Sequence, residues 1–214
     1  MLLDFDQARR NMVAYQLRGR GISDRRVLEA FESIPRHLFV PEKFRELAYE
    51  DRPHRIGHKQ TISQPYIVAY MTQALALTGT ERALEVGTGS GYQAAILSRL
   101  AAEVHTMELI PALAERAQKT LDELEITNVF VHVGDGSQGW DEAAPYDAII
   151  VTAGGPRVPK SLLNQLADGG RMILPVGEPG DQYLELLRRN GDDFSTRTLF
   201  PVAFVPLMGE EGVE

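Results

Sequence analysis

The sequence predicts an α/β fold: a doubly wound, Rossmann-like sheet with an N-terminal helical cover and antiparallel C-terminal strands. Three observations predict it. From residue 80 onward, short apolar runs of strand type alternate with amphipathic runs of helix type. A glycine loop, LEVGTGSGY at 84–92, joins the first such strand to the first such helix. The run YDAIIVTA at 146–153 is almost wholly apolar, as parallel strands covered on both faces are.

Taken in order, residues 1 to about 50 read as helical. The run at 6–21 ends in Gly19 and Gly21, which look like helix stops. The run at 23–34 opens on Ser23 as a cap and stops before Pro35, and PEKFRELAY at 41–49 gives a third short helix. Residues 51–65 carry Pro, Gly and scattered polar groups and read as a long loop, a kind that is usually functional. Strand RALEVG, helix YQAAILSRLA, strand EVHTMEL, helix PALAERAQKTLDEL and strand NVFVHVG follow, with Pro111 suited to a first helical turn. After YDAIIVTA comes helix PKSLLNQLA, ended by Asp168-Gly169-Gly170, and then strand RMILPVG. This alternation implies right-handed crossovers and helices on both sheet faces. The tail differs: QYLELLRR, the turn NGDD and FSTRTLFPVAFVPL read as antiparallel strands closing one sheet edge. The expected organisation is a single domain over 1–214, with cover and lid loop at 1–60 and cofactor-binding core at 61–214.

Composition bounds the function. There are 22 basic and 30 acidic residues, a net charge of −8, and no basic run longer than two residues, so a nucleic-acid partner is not expected. The absence of cysteine removes disulfides, cysteine nucleophiles and thiolate metal sites. The N-terminus carries acids where a signal peptide has bases, and no run approaches the roughly 18 apolar residues of a spanning helix. These features predict a soluble, cytoplasmic chain with no membrane partner. It should be a monomer, because the pattern shows no long exposed apolar face. No metal is expected either. His54 and His58 are four apart, but Gly57 lies between them and no Glu follows His54, unlike a zinc-protease helix. His105 and His132 fall inside predicted strands and read as structural.

The glycine loop sits where ligands bind in open parallel sheets, at the carboxyl end of a strand. Gly87, Gly89 and Gly91 let the backbone turn sharply and come close to a ligand. Their spacing is G-x-G-x-G, with Tyr92 where a dinucleotide fingerprint has its third glycine. A smaller nucleoside without phosphate, S-adenosylmethionine, fits better. Glu108 ends the next strand, about 20 residues on, where an acid can accept ribose hydroxyls. Asp135 and Gly136, in GDG at the end of the third strand, could receive the adenine ring. A plain Asp-Gly turn reads equally well from the residues there.

Taken together, several segments resemble one family. They are IPRHLFVPE at 34–42, TISQP at 61–65, LEVGTGSGYQAAIL at 84–97, GDG at 134–136, YDAIIVTAG at 146–154, LLNQLADGGRMILPVG at 162–177 and FVPL at 204–207. The chain resembles the protein-L-isoaspartate O-methyltransferases of bacterial type over nearly its whole length. That resemblance implies an S-adenosylmethionine-dependent methyltransferase that esterifies the α-carboxyl of L-isoaspartyl residues in damaged polypeptides. The ester then closes to a succinimide, which begins repair. The resemblance also places Gln60, Thr61, Ile62, Ser63, Glu85, Gly87, Gly89, Gly91, Glu108, Asp135 and Gly136 at cofactor-binding positions. It places Ile56, Thr152, Ala153 and Leu207 against the isoaspartyl segment. Two positions depart from the family pattern: Lys59 stands where a glycine is frequent, and Ser137 where an aromatic or basic residue is frequent.

The chemistry asks little of the protein beyond alignment. The acceptor carboxylate, with a reference pKa near 4, is ionised at neutral pH and needs no general base. The sulfonium is already an activated donor. In-line proximity can supply roughly 7–11 kcal/mol. A mobile 51–65 segment that closes over both reactants would also exclude water. Ser63 lacks the flanking glycines of a G-x-S-x-G nucleophile elbow. From the residues alone it reads as the cap of the helix that Pro65 opens. The resemblance adds a catalytic task, orienting the acceptor carboxylate. Rival readings are a small-molecule or RNA methyltransferase, an NAD(P) oxidoreductase, and a binding module without catalysis.

Overall fold

The computed structural model describes residues 4–213; Met1–Leu3 and Glu214, at the two ends of the expected 1–214 domain, lie outside the described residues. The cover begins with α1, Phe5–Asn11, capped by the Asp4 carboxylate, which accepts the N–H groups of Asp6 and Gln7. It widens into a π turn, Met12–Leu17, tightens to a 3₁₀ turn, Arg18–Arg20, and stops at Gly21 with φ 95°. The next helix, α2 (Arg25–Ser33), is capped by Asp24 and not by Ser23. Asp24 accepts the Arg26 and Val27 N–H groups, whereas the Ser23 N–H donates to Gln73. The third cover segment is 3₁₀ throughout, Glu42–Leu47.

The stretch at 51–65 is not a loop. It holds an antiparallel hairpin of β1 (His54–Gly57) and β2 (Gln60–Ile62), paired from His54↔Ile62 to Gly57↔Gln60. His58 and Lys59 turn it, with φ 49° and 60°. Two-residue hairpins need that left-handed backbone and normally signal it with Asn or Gly. His-Lys hides the turn from sequence reading. The boundary drawn after residue 60 falls within β2. Helix α3 follows, Pro65–Leu75, with Pro65 in its first turn.

The main sheet holds β3 (Arg82–Val86), β4 (Glu103–Glu108), β5 (Val129–Val133), β6 (Tyr146–Val151), β7 (Leu166–Glu178), β8 (Asp181–Asn190) and β9 (Asp193–Val202). Their order is β5-β4-β3-β6-β7-β8-β9. The pairings from β5 through β7 are parallel, and β8 and β9 add antiparallel strands at the edge. Helices α4 (Tyr92–Leu97), α5 (Pro111–Glu123) and α6 (Lys160–Gln165) connect the parallel strands. The sequence predicts α6 as far as Ala167, but Leu166 already begins β7, and Asp168-Gly169-Gly170 lies inside that strand beside a break in register with β6.

One apolar cluster joins the cover to the sheet, with Met12, Leu17, Val27 and Phe31 packed among Val68, Ile96, Val104 and Ile150. A second fills the opposite face with Leu84, Met107, Ile149, Leu162 and Met172. Ile149, Ile150 and Val151 are fully enclosed between the two, which explains their unbroken apolar run. His105 and His132 face each other across β4 and β5 at 2.9 Å, and His105 also bonds Glu103 at 2.6 Å. Strand order reverses between β3 and β6, and the site lies at that switch point.

Candidate active site

The loop after β3 folds back on β4 and β6. Gly87 N–H and Thr88 N–H both donate to Met107 O, at 2.9 and 3.1 Å. The Thr152 hydroxyl, just past β6, reaches Gly87 O at 2.7 Å. A Cβ on Gly87 would stand 2.5 Å from that hydroxyl, so the backbone approach excludes any side chain. Gly89 has φ 54° and opens toward Ile56 of the hairpin, whose side chain a Cβ would meet at 3.5 Å. Gly91 lines neither inner cleft. Its φ of 85° starts α4, and its bare Cα lets α5 approach at Ala117.

Two clefts open beside this loop and meet at Thr61, Gly87, Gly89 and Thr152. The first, of about 620 Å³, is bounded by Gln60, Glu108, Ile110, Gly136, Ala153 and Leu207. The second, of about 420 Å³, is bounded by Ile62, Ser63, Met71, Glu85, Tyr92 and Phe204. A wider groove of about 1140 Å³, lined by Pro53, Ser63, Gln64 and Pro201–Val205, leads to the second cleft from outside.

Glu108 is buried at the floor of the first cleft. One of its oxygens accepts Gly89 N–H at 2.7 Å and the other Ile110 N–H at 2.9 Å. A carboxylate offers about four lone-pair positions, so two remain for a ligand. Asp135 has less to offer. It accepts the Ser137 N–H and hydroxyl and the Glu210 N–H, and it does not line the cleft, although Gly136 does. The C-terminal segment causes this. It crosses the cleft mouth on hydrogen bonds between Gly154 and both Val205 and Leu207, each 2.8 Å, and then folds over Asp135.

Glu85 is wholly enclosed beneath the second cleft. One oxygen accepts the Thr106 hydroxyl at 2.7 Å, and the other has no partner. Burial pushes its carboxyl up to about 8, against the Thr106 hydrogen bond and helped by the nearby charge of Glu108.

The hairpin roofs both clefts through Gln60, Thr61 and Ile62. Ile56 lines neither of them; it packs on the glycine loop, and its carbonyl accepts Arg116 of α5 at 2.7 Å. Ser63 is not a helix cap. The first free N–H of α3, on Tyr66, is capped by Asp51 at 3.0 Å, while Ser63 faces the second cleft and the groove. Sequence reading missed Asp51, Arg116 and Arg36. Asp51 and Arg116 lie far in sequence from the groups they hold. Arg36 carried a signal, a lone cation in the apolar run IPRHLF.

A sequence profile of protein-L-isoaspartate (D-aspartate) O-methyltransferases matches residues 8–212. The chain belongs to this family. A protein-L-isoaspartate O-methyltransferase of Syntrophobacter fumaroxidans is 53% identical over the full length of both chains. One from Trichlorobacter lovleyi is 52% identical over 99% of this chain and 98% of the other. Among solved structures, a protein-L-isoaspartate O-methyltransferase superposes with a TM-score of 0.85 at 31% identity, covering 95% of this chain and 67% of that one. A Plasmodium falciparum protein, crystallised with S-adenosyl-L-homocysteine, shares the fold at a TM-score of 0.81 and 24% identity over 97% and 99% of the two chains. Family members are S-adenosylmethionine-dependent enzymes, and the residues of this chain fit that cofactor. A Cβ at Gly87 would collide with Thr152, so the loop stays bare where it lines both clefts, Glu108 keeps acceptor capacity in the first cleft, and Glu85 holds an unsatisfied buried oxygen.

Proposed function

We propose that the two inner clefts hold the cofactor, and that the outer groove presents an L-isoaspartyl α-carboxylate to its methyl group. The carrying observation is the junction at Thr61, Gly87, Gly89 and Thr152, where the cleft floored by Glu108 meets one that shares Ser63 with the outer groove. When bound, the cofactor supplies an activated methyl on a sulfonium, so the protein needs no general base. Glu108 accepts the ribose hydroxyls. Ala153 and Leu207, expected against the isoaspartyl segment, line the first cleft instead and with Gly136 enclose the base, while Asp135 fixes the loop below Gly136. Glu85 uses its unpartnered oxygen for a cationic group at the amino-acid end of the cofactor. Gln60, Thr61 and Ile62 close over the reactants and exclude water, which favours a reaction in which opposite charges merge. Ser63 donates its hydroxyl to the acceptor carboxylate and aims it. Ile56 and Thr152 hold the glycine loop in place, Ile56 by packing on Gly89 and Thr152 by bonding Gly87.

The testing experiment supplies labelled S-adenosylmethionine with matched peptides containing isoaspartate or normal aspartate. Label enters the isoaspartyl peptide alone. Label on the normal peptide, or on neither, sinks the reading. Ser63→Ala should lower kcat about tenfold or more, far more than it weakens cofactor affinity, since the hydroxyl's main task here is to aim the acceptor. A cytoplasmic monomer accords with these features. Among the described residues no helix is long and apolar enough to cross a membrane, and the exposed large apolar side chains are scattered from Tyr15 to Met208. Light scattering on the purified chain tests the monomer.

A further inference from the structure

Arg36 is the largest of the fully buried side chains. It lies in a 3₁₀ turn, Arg36–Phe39, after α2. A buried guanidinium normally meets a carboxylate, because leaving a charge uncompensated costs several kcal/mol. No ion pair among the described residues includes Arg36. Its donors go to two backbone carbonyls instead. Nε donates to Ala48 O at 2.7 Å, and Nη2 donates to Ser63 O at 2.7 Å. Nη1 is buried with no partner, and the guanidinium carbon lies 4.8 Å from the centroid of the Tyr92 ring. Burial lowers its pKa to about 10, with Tyr92, Tyr49 and Asp51 opposing, so the group stays charged at neutral pH.

An apolar side chain of this volume would serve packing at least as well. Packing therefore does not explain the guanidinium, but its connections do. Ala48 ends the last turn of the cover, and Ser63 is the joint between the hairpin and α3. The Ser63 side chain makes no capping contact that would hold it, since Asp51 caps α3. The peptide leaving Ser63 is gripped through its carbonyl by the rigid fork of Arg36. Tyr92, on which the fork rests, lines the same cleft as Ser63.

We propose that Arg36 is a positioning residue for methyl transfer: its fork fixes the Ser63 peptide and so sets the angle at which the Ser63 hydroxyl meets the acceptor carboxylate. This rests on the reading of Ser63 given above. Lysine keeps the charge but cannot bridge two carbonyls in one fixed plane. Methionine keeps most of the volume and removes both charge and fork.

The test is a double-mutant cycle on the full chain. It measures kcat, KM for an isoaspartyl peptide, cofactor Kd and melting temperature for wild type, Arg36→Lys, Ser63→Ala and the double variant. Arg36→Lys should lower kcat at least about tenfold with cofactor Kd changed by less than about twofold. The double variant should fall within about twofold of the slower single variant, because the fork acts only through Ser63. If Arg36→Lys turns over within about twofold of wild type, or if the two losses multiply, the proposal is overturned. A Ser63→Ala chain with wild-type kcat overturns the Ser63 reading itself, and this proposal with it. Where Arg36→Lys melts below the assay temperature, Arg36→Met takes its place, and the same kcat, Kd and cycle outcomes decide.

Discussion

At the scale of single residues, Glu85 ties the site to pH. Its carboxyl titrates near 8 in the folded chain and near an ordinary carboxylate value when unfolded. Below about pH 4.5 both states hold the proton. Between there and about 8 only the folded state holds it. The cofactor-free protein should therefore lose stability as pH rises through that window. Urea unfolding between pH 5 and 8.5 should show this slope in wild type and not in Glu85→Gln. A cationic ligand group beside Glu85 reverses the preference, so cofactor binding near pH 7 should release up to one proton. Calorimetry in two buffers of different ionisation enthalpy measures it, and Glu85→Gln should release none. The sequence placed Glu85 at the site through family resemblance. It could not show the missing partner, because that depends on Thr106 taking only one of the two oxygens.

Among the elements, the hairpin and α3 were the least legible in the sequence. The sequence shows the opening proline of α3 but points to Ser63 as its cap, whereas the cap is Asp51, fourteen residues before Pro65 in a different segment. Local pattern cannot reveal a cap that arrives through the fold. Asp51→Ala should lower stability by about 1–2 kcal/mol, and Ser63→Ala should stay within about 0.5 kcal/mol, by chemical unfolding. The His58-Lys59 turn was hidden because neither residue favours the left-handed region. Holding a side chain there costs roughly 1–2 kcal/mol, offset in a glycine variant by the entropy of the unfolded chain. Lys59→Gly should raise stability by about 0.5 kcal/mol, which a shift in urea midpoint would show. By contrast β3, β4, β5 and β6 were found almost to the residue. Their patterns are local, and β3, β4 and β6 sit between two covered faces.

For the whole molecule, the parallel core and its antiparallel edge were both readable. Periodicity marks the former, and the NGDD turn between β8 and β9 marks the latter. Which segments wall the clefts was not readable from periodicity, since the walls come from residues far apart in the chain. Gln60 to Ser63, Gly87 to Glu108, and Val205 to Met208 meet around one space. Contacts this distant in sequence close slowly during folding, because the loops between them must first be ordered. The crossing of residues 205–208 over Gly154 brings in the last of these segments along the chain. The sheet can form before it, but the first cleft cannot. Trp140, the sole tryptophan, packs against the core on the β6 side and reports the sheet. In refolding from urea, Trp140 fluorescence should recover before cofactor binding does. Coincident recovery would show that the tail docks with the sheet in one step. A lag would mean that competence to bind is the last property the chain acquires, and that cofactor present during folding traps the final state.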